Sequence, residues 1–213
     1  MSLDTMMSNA DTIIFLDFDG VLHSYESGPY EDEIHDGSYI NKKGIFKHVD
    51  KFSTMLRKFN ADIILSTSWR TAISIKNLRS AFPEDIQRRI IDITPDINDD
   101  REIEILEKAK KLKKDGFKGD FIALDDVRDY FNGPRLSHDP LVKHTYIRDK
   151  NLEIFIYIVD GDTGLTTSDI NVITSFLTPD HRIFDSIRCW LHNFYIPFIQ
   201  YIKRMTASNG AWP

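Results

Sequence analysis

Cysteine and long apolar runs are both scarce in this chain. It has one cysteine, Cys189, among 213 residues, and one thiol can neither close an internal disulfide nor supply a thiolate metal site. No stretch has the about 20 consecutive apolar residues that a membrane-spanning helix needs. Residues 1–11 are polar and lack the basic start and apolar core of a secretion signal. These features predict a cytoplasmic protein in a reducing compartment.

Positive charge is also limited. The chain has 27 Lys and Arg against 33 Asp and Glu, for a net charge of −6. Because proteins that follow a nucleic-acid backbone usually carry a basic excess, this balance argues against nucleic acid as a partner.

A hydrophobic content of 41% is sufficient for one packed domain of ordinary size.

A buried-strand pattern near the N-terminus runs into two acidic residues. Residues 13–16 are Ile-Ile-Phe-Leu, typical of a strand buried on both faces, and Asp17, Phe18, Asp19 and Gly20 follow. If the extended geometry continues, its period of two puts Asp17 and Asp19 on one side. Two carboxylates in one pocket need neutralising, and Mg²⁺ is the usual partner of such oxygen ligands. Gly20 permits a sharp turn and close approach of a ligand.

Two further strand patterns end in polar side chains. Residues 120–124 are followed by Asp125 and Asp126, with Asp129 as a weaker candidate ligand. Residues 62–65 change abruptly to the hydroxyl side chains of residues 66–68. Such hydroxyls either cap a helix or bind phosphate together with free helix amides. The pattern also predicts strands at 90–93 and 152–159, and helices over 45–59, 101–112 and up to residue 177.

The apolar run followed by Asp-x-Asp-Gly, with the later pair of acids, resembles the signature of the haloacid dehalogenase (HAD) superfamily. The resemblance covers roughly residues 11–177. Ser66-Thr67-Ser68-Trp69 and Gly164-Leu165-Thr166 are similar to a capless branch found as the phosphatase part of RNA-repair proteins. The resemblance implies a three-layer α/β domain with a mostly parallel sheet. No substantial cap domain is expected, because the about twenty residues from 23 to 43 are too few for a separate core and form a lid at most.

The resemblance implies specific roles for the acidic residues. Asp17 would attack phosphorus and form an aspartyl-phosphate, and Asp19 would protonate the leaving oxygen and then activate water. Dehalogenating members lack the second acid, so Asp19 favours phosphoryl transfer. Mg²⁺ would be bound by Asp17, the backbone carbonyl of Asp19, and one or both of Asp125 and Asp126. Gly20 would let the substrate approach.

The resemblance also requires a hydroxyl and a cation, and alternatives remain for each. Thr67 is the preferred ligand of a phosphate oxygen, with Ser66 as the alternative. Arg101 is the preferred cation between nucleophile and phosphate, while Lys108 and Lys76 stay possible. Arg70 could bind phosphate and Asp129 could bind the metal. The favoured interpretation is that Arg70 is a solvated helix residue and that Asp129 is an acid at a helix start.

Three functions follow as hypotheses. The preferred one is a Mg²⁺-dependent phosphatase with an open site for a macromolecular substrate, a phosphoprotein carrying phosphotyrosine. Alternatives are a nucleic-acid end phosphatase in repair and a non-catalytic binding module. The phosphotyrosine preference rests on aromatic residues that could flank a phenyl ring: Tyr25, Tyr30, Tyr39, Trp69 and Tyr130.

Residues 178–213 are expected to form a separate C-terminal segment. The stretch 182–205 is rich in aromatic residues and is broken by Pro197. The favoured interpretation is a helix docked on the domain, and the alternative is a contact with a partner protein or a membrane surface. His138 and His144 are interpreted as loop residues.

Overall fold

A computed structural model describes residues 9–28, 43–97, 100–131, 143–149 and 152–178. Six strands lie within this part of the chain. They are β1 (Thr12–Leu16), β2 (Ala61–Leu65), β3 (Ile90–Ile93), β4 (Asp120–Asp125), β5 (His144–Asp149) and β6 (Leu152–Ile158). They form one sheet in the order β3-β2-β1-β4-β6-β5. All neighbouring pairs are parallel except β5 and β6, which are antiparallel.

Four of the described helices lie in the connections between β1 and β4, and a fifth follows β6. They are α1 (Val49–Leu56), α2 (Ile75–Arg79), α3 (Glu84–Gln87), α4 (Arg101–Lys114) and α5 (Thr167–Leu177). Single 3₁₀ turns occupy Tyr25–Ser27, Ser68–Thr71 and Arg128–Tyr130. Helix α4 begins where the Asp100 side chain accepts a hydrogen bond from the Ile103 amide at 3.0 Å, a standard N-cap.

Both faces of the sheet are covered, which gives the predicted three-layer α/β architecture. Ile13 and Phe15 share a core cluster with Ile105 and Ala109 of α4. Successive strand residues point to opposite faces, and residues 14 and 16, on the other face of β1, are also fully buried. The prediction of a mostly parallel sheet is confirmed. The described residues contain no separate cap.

Several local predictions were wrong. Helix α1 begins at Val49, four residues later than predicted, because Gly44 (φ 92°) and Phe46 (φ 53°) have backbone angles that no right-handed helix can accommodate. His144 is the first residue of β5 rather than a loop residue. Strand β5 escaped prediction because it lies at the sheet edge, where polar and apolar residues mix. Ile103, which the apolar pattern of residues 101–112 predicts on the buried face of α4, is 43% exposed.

The chain separates into two units, residues 1–171 and 172–213. The predicted boundary after residue 177 stays a prediction. The stretch 182–205 and His138 lie outside the described residues, so their predicted roles stay predictions too. Among the residues that the structure describes, no helix has the length and apolar character needed to cross a membrane.

Candidate active site

The register of three neighbouring strands brings the predicted motifs to one edge of the sheet. Leu16 of β1 pairs with Leu65 of β2 on one side and with Leu124 of β4 on the other. The next residues, Asp17, Ser66 and Asp125, therefore follow at the same level. Backbone hydrogen bonds continue to this level, from the Asp17 amide to the Leu124 carbonyl at 3.0 Å and from the Ser66 amide to the Leu16 carbonyl at 2.8 Å.

Three carboxylates meet at this edge. Asp17, Asp125 and Asp126 each offer an oxygen atom, and these atoms all lie within 4.8 Å of one another. Asp125 Oδ1 accepts a hydrogen bond from the Val127 amide at 2.9 Å. Among the described residues, however, Asp125 Oδ2 and Asp126 Oδ2 are buried without any hydrogen-bond partner. Buried anionic oxygens without donors are costly, and a divalent cation would satisfy them.

The electrostatics of the cluster fit a bound Mg²⁺. Burial raises the pKa of Asp17, with the charge of Asp19 adding to the shift and Arg101 opposing it. Burial and the charge of Asp17 raise the pKa of Asp125 well above its ordinary value. The pKa of Asp126 is raised to about 6, mainly by burial. A hard cation with an oxygen-rich coordination shell matches this set of donors, and the residues present therefore fit the ion.

Asp19 is not part of this carboxylate cluster. Strand β1 ends at Leu16, and the chain turns at Phe18, whose carbonyl accepts the amides of Val21 and Leu22 at 3.2 and 2.8 Å. The extended continuation expected through Asp19 is thus replaced by a turn. The predicted metal ligand was the Asp19 backbone carbonyl, and that contact stays a prediction.

Arg101 lies beside the cluster. Its Nη2 is 3.9 Å from Asp17 Oδ2, and its Nε is 3.8 Å from Asp125 Oδ2, distances that allow attraction but are too long for hydrogen bonds. Its Nη1 donates a hydrogen bond to Ser66 Oγ at 3.2 Å. As the first residue of α4, Arg101 is carried to the strand ends by the loop after β3, so its buried guanidinium faces both acids.

The two hydroxyl candidates make different contacts. The Ser66 hydroxyl accepts a hydrogen bond from Arg101, whereas the buried Thr67 side chain lies beside Asp17 and opposes the rise in the Asp17 pKa. Thr67 also caps the 3₁₀ turn Ser68–Thr71, accepting from the Trp69 amide at 3.4 Å. The geometry therefore sets Thr67 next to the predicted nucleophile and Ser66 next to the predicted cation.

The other candidate cations are placed elsewhere. Lys108 forms an ion pair with Asp92 and is buried, although a run of lysines such as that between residues 108 and 114 usually indicates a solvated helix face. Lys76 is exposed on α2. Arg70 is neither a phosphate ligand nor a solvated residue, because its side chain pairs with Glu104 at 2.5 Å in a buried position.

The protein family follows from a comparison of the sequence. A family model for the HAD domain in Swiss Army Knife RNA repair proteins matches residues 13–170. The chain belongs to this family. It is accordingly a phosphatase-type HAD hydrolase, and the site described above lies wholly inside the matched range. Comparisons with curated proteins and with solved structures gave no significant match.

Gly20 and Tyr25 shape the metal-facing side of the HAD site. Gly20 has φ +64°, and a Cβ atom there would lie 2.0 Å from Asp126 Oδ2, so only glycine fits. The side chain of Tyr25 lies beside the Asp126 carboxylate, and burial together with this acidic neighbour raises the pKa of the tyrosine.

Two of the predicted aromatic residues are exposed near the HAD site. Tyr25 is 49% exposed and Tyr130 is 41% exposed, and the Tyr130 ring centroid lies 5.7 Å from the Arg101 guanidinium carbon. Trp69 is buried and cannot form a wall for a substrate ring. Tyr30 and Tyr39 lie outside the described residues.

Sequence reasoning missed the partners of Asp19. His23 Nε2 lies 3.0 Å from Asp19 Oδ1, and Trp69 Nε1 donates to Asp19 Oδ2 at 2.7 Å. The sequence indicates Trp69 only as an aromatic residue that could flank a substrate ring. His23 is the first residue of the expected lid segment, and the turn that brings it back to Asp19 has no periodic signal in the sequence.

Proposed function

We propose that this HAD domain is a Mg²⁺-dependent phosphatase of phosphate monoesters that uses Asp17 as its nucleophile. The observation that carries the proposal is the placement of Asp17 within a cluster of three carboxylates, next to the Thr67 hydroxyl and the Arg101 guanidinium. Phosphoryl transfer needs a nucleophile, a hydroxyl donor and a cation close together, and all three lie at one edge of this sheet.

The proposed reaction has two displacements. In the first, a carboxylate oxygen of Asp17 bonds to phosphorus, the bond from phosphorus to the leaving oxygen breaks, and Asp19 donates a proton to that oxygen. In the second, a water oxygen bonds to the phosphorus of the aspartyl-phosphate while Asp19 accepts a proton from the water. The bond between phosphorus and Asp17 breaks, which releases phosphate and restores the carboxylate.

The surrounding residues reduce the cost of gathering negative charge. Asp17, Asp125 and Asp126 would hold Mg²⁺, which would supply positive charge to offset the carboxylates and the phosphate. Arg101 is positioned to donate to phosphate oxygens once substrate is present, because its distances to both acids are too long for hydrogen bonds. Thr67 presents its hydroxyl beside the attacking group.

Asp17→Asn tests the mechanism. An amide is a poor nucleophile of almost the same shape, so we expect phosphate release from an aryl phosphate with Mg²⁺ to fall by at least about 10³-fold while circular dichroism stays that of a folded protein. Asp129 is exposed and lies outside the carboxylate cluster, so Asp129→Asn makes the same chemical change there and should leave turnover unchanged. Equal turnover of Asp17→Asn and wild type would reject the proposed nucleophile.

The favoured substrate is a terminal phosphate of RNA. The name of the matched family refers to RNA repair, and the two exposed tyrosines near the site could stack on unpaired bases next to the phosphate. The net charge of −6 is a property of the whole chain and has less weight than the family assignment. This preference for RNA replaces the sequence-based preference for a phosphoprotein.

Phosphotyrosine in a protein is the second candidate, and only Tyr25 and Tyr130 favour it. A phenolate, with a pKa of about 10, leaves more easily than an alkoxide. The family assignment gives protein-tyrosine specificity no support.

A substrate panel separates these candidates. It compares RNA oligonucleotides with 5′- or 3′-phosphates against phosphotyrosine and phosphoserine peptides of one sequence, at two salt concentrations. An RNA phosphatase should prefer the oligonucleotides, and its affinity should fall steeply with salt. Faster hydrolysis of phosphotyrosine would favour the second candidate. A folded protein that hydrolyses nothing with Mg²⁺ present would favour the non-catalytic binding module.

A further inference from the structure

Both carboxylate oxygens of Asp19 are held by ring nitrogens. Trp69 Nε1 donates to Oδ2 at 2.7 Å, and His23 Nε2 lies 3.0 Å from Oδ1. Neither ring belongs to the carboxylate cluster that would hold Mg²⁺. We infer that Trp69 and His23 are positioning residues that fix the Asp19 carboxyl group for proton transfer to the leaving oxygen. This inference rests on the proposed phosphatase function.

The hydrogen-bonding pattern holds both oxygens and still leaves room for a proton. An indole N–H can only donate, so Oδ2 accepts this bond whether Asp19 is ionised or protonated. When Asp19 is ionised, His23 donates from Nε2 to Oδ1, because a carboxylate only accepts. Each carboxylate oxygen can accept two hydrogen bonds, so one lone pair on each oxygen stays available for the proton exchanged with leaving group and water.

The packing around the two rings prevents them from turning away. Trp69 and His23 are both buried. The Trp69 ring centroid lies 5.6 Å from that of Phe18 and 5.5 Å from that of Phe46, and the His23 centroid lies 5.5 Å from Phe46. The Asp19 side chain, by contrast, is 30% exposed. Two fixed donors thus hold a carboxyl group whose remaining edge faces solvent, where a substrate can reach it.

Loss of one donor should affect some substrates far more than others. A misaligned acid slows proton transfer, and proton transfer matters most when the leaving oxygen is strongly basic. Alkyl phosphates should be most sensitive, phenyl phosphate less so, and nitrophenyl phosphate least, because nitrophenolate leaves without much help. General weakening of the fold would instead reduce all three rates by one factor.

Trp69→Phe is the decisive variant because it keeps a buried aromatic ring at this position and removes the N–H donor. We expect kcat/KM to fall about 10- to 100-fold for an alkyl phosphate and less than about 3-fold for nitrophenyl phosphate, part of the range that acid catalysis supplies. His23→Leu should act in the same direction. His23→Gln, which can still donate through its amide, should recover part of the loss.

Phe82→Leu is the matched control. Phe82 packs on Phe18 at 5.9 Å between ring centroids, so its loss loosens the same aromatic cluster without removing a donor to Asp19. It should change the three substrates by one common factor. If Trp69→Phe also lowers all three substrates by one factor, the positioning role is overturned.

A second measurement tests the contact without using activity. The indole ¹H–¹⁵N signal that disappears in Trp69→Phe identifies Trp69, and it should shift in Asp19→Asn but not in Asp129→Asn. An unmoved signal in Asp19→Asn would overturn the inference even in an active enzyme. A shifted signal in a protein that hydrolyses no phosphoester would instead reject the proposed phosphatase function while leaving the hydrogen bond intact.

Discussion

Asp125→Asn should make the metal-free protein more stable, although it alters a buried residue. Without a cation, Asp125 lies within 4.8 Å of both Asp17 and Asp126. At that distance, with an effective dielectric constant of 20, each pair of like charges repels by about 3.5 kcal/mol. Arg101 Nε, at 3.8 Å from Asp125 Oδ2, attracts the Asp125 carboxylate by about 4 kcal/mol. The fully ionised Asp125 is therefore repelled by about 3 kcal/mol net.

Because the attraction to Arg101 is already subtracted, the protonation state of Asp125 determines how much of this net repulsion the substitution relieves. Because the pKa of Asp125 is raised well above its usual value, partial protonation already relieves some repulsion near neutral pH. Asparagine keeps an oxygen that can accept the Val127 amide and adds an amide that can donate to Asp17. We expect a gain of about 1–2 kcal/mol in the free energy of unfolding, or roughly 2–8 °C in Tm.

Mg²⁺ should reverse the order of stability. Saturation at about 100 times Kd stabilises a protein by about 2.7 kcal/mol, and we expect this gain for wild type and little of it for Asp125→Asn. The assay is thermal unfolding with EDTA and with a Mg²⁺ series, and Asp129→Asn serves as the exposed control. A metal-free Asp125→Asn protein that is less stable than wild type, yet gains equally from Mg²⁺, would refute the account of the cluster.

Two further predictions concern the same cluster. Gly20→Ala should cost at least about 1–2 kcal/mol of stability, the price of a left-handed backbone for a side chain, and should weaken Mg²⁺ binding in calorimetry because its Cβ displaces Asp126. Gly116→Ala, with φ 101° at the end of α4, should lose stability but keep its Mg²⁺ affinity; equal affinities for the two variants would contradict the argument. The pKa of Asp126, raised from 3.8 to about 6, means that the folded protein binds this proton more tightly than the unfolded chain. Lowering the pH from about 6 to about 4 should therefore raise this group's contribution to metal-free stability while protons displace Mg²⁺, and pH-dependent melting with and without Mg²⁺ should show opposite trends.

The sequence by itself determined the central strands and the acids that follow them. An aliphatic run such as residues 13–16 buries enough apolar surface on two faces to specify a strand without help from its neighbours. The acids after it can be recognised because carboxylates rarely follow so apolar a segment. For this reason Asp17, Asp125 and Asp126 were predicted together, and the structure brings them together.

Strand β5 and the start of helix α1 could not be predicted correctly from the sequence. Strand β5 mixes polar and apolar residues and is held by pairing with β6, so its own composition does not reveal it. Helix α1 was predicted too long because the positive φ of Phe46 is imposed by its surroundings and leaves no mark on the hydrophobic period.

Only the tertiary structure decided which side chains surround Asp17 and Asp19. Three cations were candidates by sequence, and Arg101 is the one beside the acids because α4 starts at the ends of the strands, whereas Lys108 lies two turns further along and pairs with Asp92. The contacts of Asp19 with His23 and Trp69 likewise depend on a turn and on a residue fifty positions away. Such contacts are set by strand register and loop path, which no local pattern of residues records.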